Sequence, residues 1–284
     1  MQWEPGDRSN IEDDRGRSGG RMVPIGLGGF VVLLLLSLFT GRNFFALLGT
    51  GDTAPSSSVG TTGTLETSPR EERLVDFVDT VANDAQGVWQ RILGNRYERT
   101  KVVIFRDSIQ SACGFAESAT GPFYCPGDHR VYLDLGFFDE LSQRFGAPGE
   151  FAQAYVIAHE LGHHVQNLTG IDARALRGGA RSGPDSAPVA LELQADCLAG
   201  VWGHAAAQNG RLTAGHVVLD PGDEEEALRA AAAIGDDRLQ RMATGHIAPE
   251  RFTHGTSAQR VEWFRRGMEN GDPNACNTFA RSTY

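Results

Sequence analysis

Two histidines four residues apart, with a glutamate beside the first, stand at His159-Glu160-Leu161-Gly162-His163. The spacing around them predicts a helix over Glu150 to Leu168, where positions four apart share a face about one turn, ~6 Å, apart. Two imidazoles so placed converge on one zinc ion at about 2.0–2.1 Å each. Glu160 then reaches a water on the metal rather than the metal itself. Lewis acid, activated water and base are what metal-assisted peptide hydrolysis requires. Farther on, Leu191 to Leu198 reads LELQADCL, with Glu192 and Asp196 four apart on one face of a second helix. Glu192 would complete a His159, His163, Glu192 set for one zinc per chain and leave the fourth position for water. Asp196 suits the spare N–H of a zinc-bound histidine, whose tautomer it would fix. The plainer alternative is two carboxylates on a solvated face. It fits poorly with Leu191, Leu193, Leu198 and Val201, because burying unpaired carboxylates is costly.

These residues need elements to position them. Apolar residues recur at helical spacing from Glu71 to Leu93 (Leu74, Phe77, Val78, Val81, Val88, Trp89, Ile92). Val102 to Phe105 reads as a short buried strand, and Arg130 to Leu135 alternates as a half-exposed strand does, with Tyr132 and Asp134 on one face. A short helix is expected at Gly136 to Phe145, and long ones at Glu150 to Leu168 and Pro188 to Gln208. Asp223 to Met242 and Ser257 to Glu269 complete a mainly helical C-terminal half. The segment Thr169 to Ala187, rich in Gly, Ser and Arg, reads as a loop that is either a lid or a solvated excursion. The expected fold class is α+β, mainly helical with a small sheet.

Val23 to Thr40 (VPIGLGGFVVLLLLSLFT) is 18 residues without a charge, enough for a helix across a hydrocarbon core of roughly 30 Å. No small-residue cleavage site follows it, so it reads as an uncleaved anchor preceding the domain. Arg8, Arg15, Arg17 and Arg21 precede the run and Arg42 alone follows closely, which predicts a cytoplasmic N-terminus. The expected organisation is a cytoplasmic polar tail (1–22), a transmembrane anchor (23–40), a flexible linker (41–69) and an extracytoplasmic catalytic domain (70–284). The expected location is the cytoplasmic membrane, single-pass, with the catalytic domain periplasmic or extracellular. Cys113, Cys125, Cys197 and Cys276 all fall beyond the anchor, as an oxidising compartment allows. Three pairings are open. Cys113 with Cys125 would close a short loop, Cys197 with Cys276 would tie the C-terminus to the Glu192 helix, and four reduced thiols is the alternative. A formal net charge of −10 excludes a general nucleic-acid binder.

HELGHH followed by ELQAD resembles the thermolysin-like zinc peptidases. The chain resembles the bacterial neutral zinc metallopeptidase family more closely still, through MQW at the start, GPFYCP, VYLDL, HELGHHVQ, ELQADCLAGVW and THGTSAQRVEWF. The resemblance covers most of residues 1–20 and 70–284. It implies a zincin-like domain with an edge strand beside the active-site helix, which by this resemblance would be Arg130 to Leu135, pairing with an extended substrate. It also implies zinc on His159, His163 and Glu192, Glu160 as general base, and Asp196 as the group orienting a zinc-bound histidine. Peptidases of this kind often add a His or Tyr that donates to the oxyanion. His254 is the candidate, and His254 with Arg260 resembles a late His–Arg pattern of related membrane-bound peptidases. The alternative for this stretch is a capping loop with Thr256 or Ser257 as N-cap. His164 points about 100° away from the ligand face and is read as structural or solvent-facing. The expected activity is zinc-dependent endopeptidase action on extracytoplasmic proteins or peptides. The alternative is a non-catalytic zinc-binding scaffold or interaction module of the envelope.

Overall fold

The computed structural model of the protein describes residues 1–16, 65–177 and 182–281. The chain opens with two short strands, β1 (Gln2–Trp3) and β2 (Ile11–Asp13). Helix α1 (Pro69–Leu93) starts where the Ser68 hydroxyl accepts from the Glu71 N–H, and Pro69 occupies a first-turn position with no amide to lose. Its apolar stripe, including Val78, Val81, Ala85 and Trp89, is buried, as the periodicity predicts.

Strand β3 (Lys101–Phe105) is followed by the hairpin β4 (Ser108–Ser111) and β5 (Gly114–Glu117), then by β6 (Phe123–Cys125) and β7 (Arg130–Asp134). The main sheet has the order β2-β3-β7-β6, with β2, β3 and β7 parallel and β6 antiparallel at one edge. Val102, Ile104, Val131 and Leu133 face the main core, where α1 and the later helices supply the other side. Val103, Phe105, Cys125 and Tyr132 form a smaller cluster on the opposite face, with Ile109 of the hairpin. The disulfide Cys113–Cys125 pins the hairpin turn to β6.

Helices α2 (Phe137–Gln143), α3 (Glu150–Thr169) and α4 (Ile171–Ala175) come next, then α5 (Ala187–Ala207), which is capped by Ser186. The two-residue strand β8 (Val217–Val218) pairs with β1, and α6 (Asp223–Ala233), α7 (Asp236–Thr244) and α8 (Ser257–Asn270) follow. Helix α5 is apolar nearly all round because it lies between α3 and α8. The disulfide Cys197–Cys276 ties its middle to the segment after α8. Of the three pairings left open, the structure has Cys113 with Cys125 and Cys197 with Cys276.

Four expectations are corrected. The helix expected from Asp223 to Met242 is two, because Gly235 interrupts it where Ser257 crosses: a Cβ at Gly235 would lie 2.3 Å from the Ser257 nitrogen. Arg130–Asp134 is not an edge strand, since it is paired with β3 on one side and β6 on the other. Tyr132 is accordingly buried and stacked on Phe123 rather than half-exposed. Among the described residues the outer strands of this sheet are Ile11–Asp13 and Phe123–Cys125.

The third correction concerns residues 1–22, expected as a separate tail. Residues 1–15 form one compact unit with residues 67–284. Ile11 to Asp13 run parallel to Val102 to Ile104 in the sheet. The buried Asp79 carboxylate accepts from the backbone amides of Arg8 and Asn10 and from the Asn10 side chain, at 2.9–3.0 Å. The buried Arg15 guanidinium pairs with Asp13, Glu71 and Glu72. The fourth correction is to the transmembrane helix expected ahead of the domain: among the described residues no helix is long and apolar enough to cross a membrane. The run Val23 to Thr40 itself, with the linker as far as residue 64, lies outside the described residues.

Candidate active site

The site is built where α3 passes α5. Gly162, the small residue inside the His159–His163 interval, allows the approach: a Cβ there would lie 3.1 Å from both the Cα and the carbonyl oxygen of Ala195. Ala195 sits between Glu192 and Asp196, so the closest point of the crossing brings the two carboxylates to the two imidazoles.

His159 Nε2 lies 3.2 Å from His163 Nε2 and 3.2 Å from Glu192 Oε2, and His163 Nε2 lies 3.4 Å from Glu192 Oε1. Donors at the corners of a tetrahedron around a metal 2.0–2.1 Å away are separated by about 3.3 Å. The two imidazole nitrogens stand about one such edge apart, each with a different Glu192 oxygen at a similar distance, and His159, His163 and Glu192 are the group of His, Cys, Asp and Glu side chains among the described residues that could hold a metal ion. One corner is left for water or substrate, as a catalytic zinc site needs.

Each imidazole is held from behind through its other nitrogen. His159 Nδ1 is 2.9 Å from Asp196 Oδ1. Asp196 is fully buried and bound in fork geometry by Arg260, Nε to Oδ2 and Nη2 to Oδ1, both at 2.9 Å. Tyr155, one turn before His159 on α3, donates its hydroxyl to Asp196 and accepts from Arg260 Nη2 at 3.2 Å. Burial raises the Asp196 pKa, but Arg260 and then His159 outweigh it and hold the carboxyl below its ordinary value. Burial likewise opposes charge on His159, while Asp196 and Glu192 hold its pKa up to about 10 in the metal-free protein. His163 is shifted upward too: burial works against its charge, and the Glu192 carboxylate overcomes this. On the far side of His163, Nδ1 is 2.9 Å from the Gln166 side-chain oxygen.

Glu160 is buried beside His163, and no hydrogen bond to another described residue claims its carboxylate. His254 lies in the loop before α8 with its side chain half-exposed. Its Nδ1 is 3.2 Å from Asp236 Oδ1, while Asp236 Oδ2 accepts the backbone amides of Thr253, His254 and Gly255 at 2.7–3.0 Å. The hydrogen bond to Asp236 raises the His254 pKa; burial opposes it, and Glu192 adds to the rise. The capping alternative for this stretch is also present, since Thr256 and Gln259 form a capping box on α8. The capping residues are Thr256 and Gln259, and His254 is not one of them. His164 is structural: it is buried, with Nε2 2.7 Å from the Glu98 carbonyl and Nδ1 3.0 Å from the Tyr124 hydroxyl. Burial lowers its pKa.

The structure thus gathers His159, His163, Glu192 and Asp196 at one point, with Glu160 adjoining. Tyr155, Gln166, Asp236 and the pairing of Arg260 with Asp196 were not read from the sequence. Tyr155 and Gln166 had a local signal, four residues before His159 and three after His163.

Comparison with known proteins bears on this geometry. Residues 1–279 match the family described as "Putative neutral zinc metallopeptidase". The chain belongs to that family. The match begins at residue 1, in keeping with the packing of the first fifteen residues into the fold. The chain is 43% identical over 296 residues to "Uncharacterized protein YpfJ" of Escherichia coli K12, covering 99% of this chain and all of that one. It is 45% identical over 207 residues to "Uncharacterized protein Rv2575" of Mycobacterium tuberculosis, covering 72% of this chain and 70% of the relative. No solved structure matches it. The family is one of zinc hydrolases acting on proteins or peptides, and the His159, His163, Glu192 group fits the metal it implies.

Proposed function

We propose that this member of the family is a zinc endopeptidase that cleaves extracytoplasmic proteins or peptides. The observation that carries the reading is the meeting of His159 Nε2, His163 Nε2 and the Glu192 carboxylate within 3.2–3.4 Å of one another, beside a buried Glu160 carboxylate that no described neighbour hydrogen-bonds. Zinc held by His159, His163 and Glu192 would supply a Lewis acid for the scissile carbonyl and acidify the attacking water. Glu160 accepts the proton of that water at its carboxylate and delivers it to the departing amide nitrogen. His254, kept charged by Asp236, donates to the oxygen on which negative charge develops. Asp196 and Gln166 hold the two imidazoles with Nε2 forward. The outer strand Phe123–Cys125 offers backbone groups to an extended substrate, and an extended substrate suits cleavage within a chain. The two disulfides support an oxidising compartment.

The test is zinc content together with cleavage of an unfolded protein by the full chain, with and without a chelator. One zinc per chain and chelator-sensitive internal cleavage are expected. A protein that takes up no zinc, or that holds zinc and trims only chain ends, would contradict the reading.

A further inference from the structure

His163 is connected to the disulfide Cys197–Cys276 by a line of hydrogen bonds whose direction is fixed at its far end. The Cys276 carbonyl can only accept, so Gln194, whose Nε2 lies 2.9 Å away, must turn its amide nitrogen toward it. The Gln194 oxygen then faces Gln166 Nε2 at 3.1 Å and accepts from it. The same Gln166 nitrogen donates to a second obligate acceptor, the Leu191 carbonyl, at 2.7 Å. Gln166 is left to present its oxygen to His163 Nδ1. That nitrogen must carry the proton, and the lone pair falls on Nε2, which faces His159 and Glu192. Gln166 and Gln194 are both buried, and a flip of either would set like groups against each other along the line.

We infer that Gln166 and Gln194 are positioning residues for zinc and that the Cys197–Cys276 disulfide anchors them. A backbone carbonyl, through two amides, sets the tautomer and orientation of His163. Cys197 lies on α5 between the Gln194 and Val201 turns, and its bond to Cys276 keeps the Cys276 carbonyl over Gln194. Breaking the disulfide frees that carbonyl, and the relay loses its fixed end. The inference rests on the zinc reading of His159, His163 and Glu192.

The experiment measures zinc affinity of the full chain by competition with a chromophoric chelator, beside thermal unfolding of each metal-free protein. Gln166→Met, which keeps volume and removes the acceptor, is expected to weaken zinc by about 10–100-fold. Gln194→Met leaves Leu191 still holding Gln166 and is expected to give a smaller loss. The double variant Cys197→Ala, Cys276→Ala is expected to lose affinity by several-fold, with Gln194→Met adding little on top of it because both remove the same anchor. Wild-type affinity in a folded Gln166→Met protein would overturn the relay. A full, independent effect of Gln194→Met in the disulfide-free protein would overturn the anchor. Should Gln166→Met fail to fold, Gln194→Met decides: wild-type zinc affinity in that folded protein would overturn the relay. Failure of wild type to bind zinc would instead sink the zinc reading itself, and the two failures are told apart in the same titration.

Discussion

The two zinc-facing histidines are one helical turn apart, yet the protein supports them by opposite means. Behind His159 lies an ionic cluster, with Asp196 gripped by Arg260 and Tyr155, all buried. Behind His163 lies a neutral line of two amides ending on a backbone carbonyl. An ionic support holds an imidazole strongly but depends on every charge being matched, because an unmatched buried charge is far costlier than an unmatched amide. A neutral support is gentler and directional. Two ionic supports would place two buried carboxylates beside Glu192 within one small volume. The mixture gives both histidines an acceptor and keeps the negative charge near the metal to Asp196, Glu192 and Glu160.

The comparison can be broken at several points. Arg260→Met takes the guanidinium from the buried Asp196, leaving it only Tyr155 and His159, and is expected to cost about 3–5 kcal/mol of stability, read by urea unfolding. Gln166→Met on the other side is expected to cost much less stability. Equal losses would erase the distinction. Asp196→Ala is expected to weaken zinc by about 10–100-fold while the domain stays folded, measured by chelator competition. Gly162→Ala forces α3 away from Ala195 and is expected to cost about 1–3 kcal/mol with loosened zinc on both histidines alike, since it moves the crossing rather than either support.

A finer test uses pH. In the metal-free protein His159 keeps its proton up to about pH 10, against an ordinary value of 6.5. That raised value stabilises the metal-free fold fully below 6.5, and the contribution is lost as pH climbs through about 10. Zinc must displace the same proton, so binding should release protons at neutral pH and tighten steadily as the solution is made alkaline. Asp196→Asn should flatten this dependence toward that of an ordinary histidine. Gln166→Met, which adds no charge, should leave it in place. Calorimetry in two buffers of different ionisation heat measures the protons released.

The reacting groups were legible because their signal is local. His159, Glu160 and His163 lie within two turns of one helix, and Glu192 and Asp196 repeat the four-residue spacing on the next. Arg260 could not be assigned to Asp196 from spacing, since 64 residues separate them and only the α5–α8 packing brings them together. The long helices were legible from their stripes, but α6 and α7 were merged because the cause of their separation, the crossing of Ser257 over Gly235, is tertiary. The N-terminal segment was misread for a different reason. Strands of two and three residues are too short to show alternation, and their partners, Val217–Val218 and Lys101–Phe105, lie far along the chain. The buried charges of Arg15 and Asp79 there look like surface composition until their mates are known. Likewise, Arg130–Asp134 was read as half-exposed because nothing local shows that the β4–β5 hairpin covers its second face.

The central claim is that Glu160 moves the proton at a zinc site held by His159, His163 and Glu192. Glu160→Gln tests it most directly, because the change keeps size and touches none of the three donors. Zinc content equal to wild type, with the cleavage rate of an unfolded protein reduced by at least about 10²–10⁴-fold, is the expected result. Substantial cleavage by a fully zinc-loaded Glu160→Gln protein would contradict it.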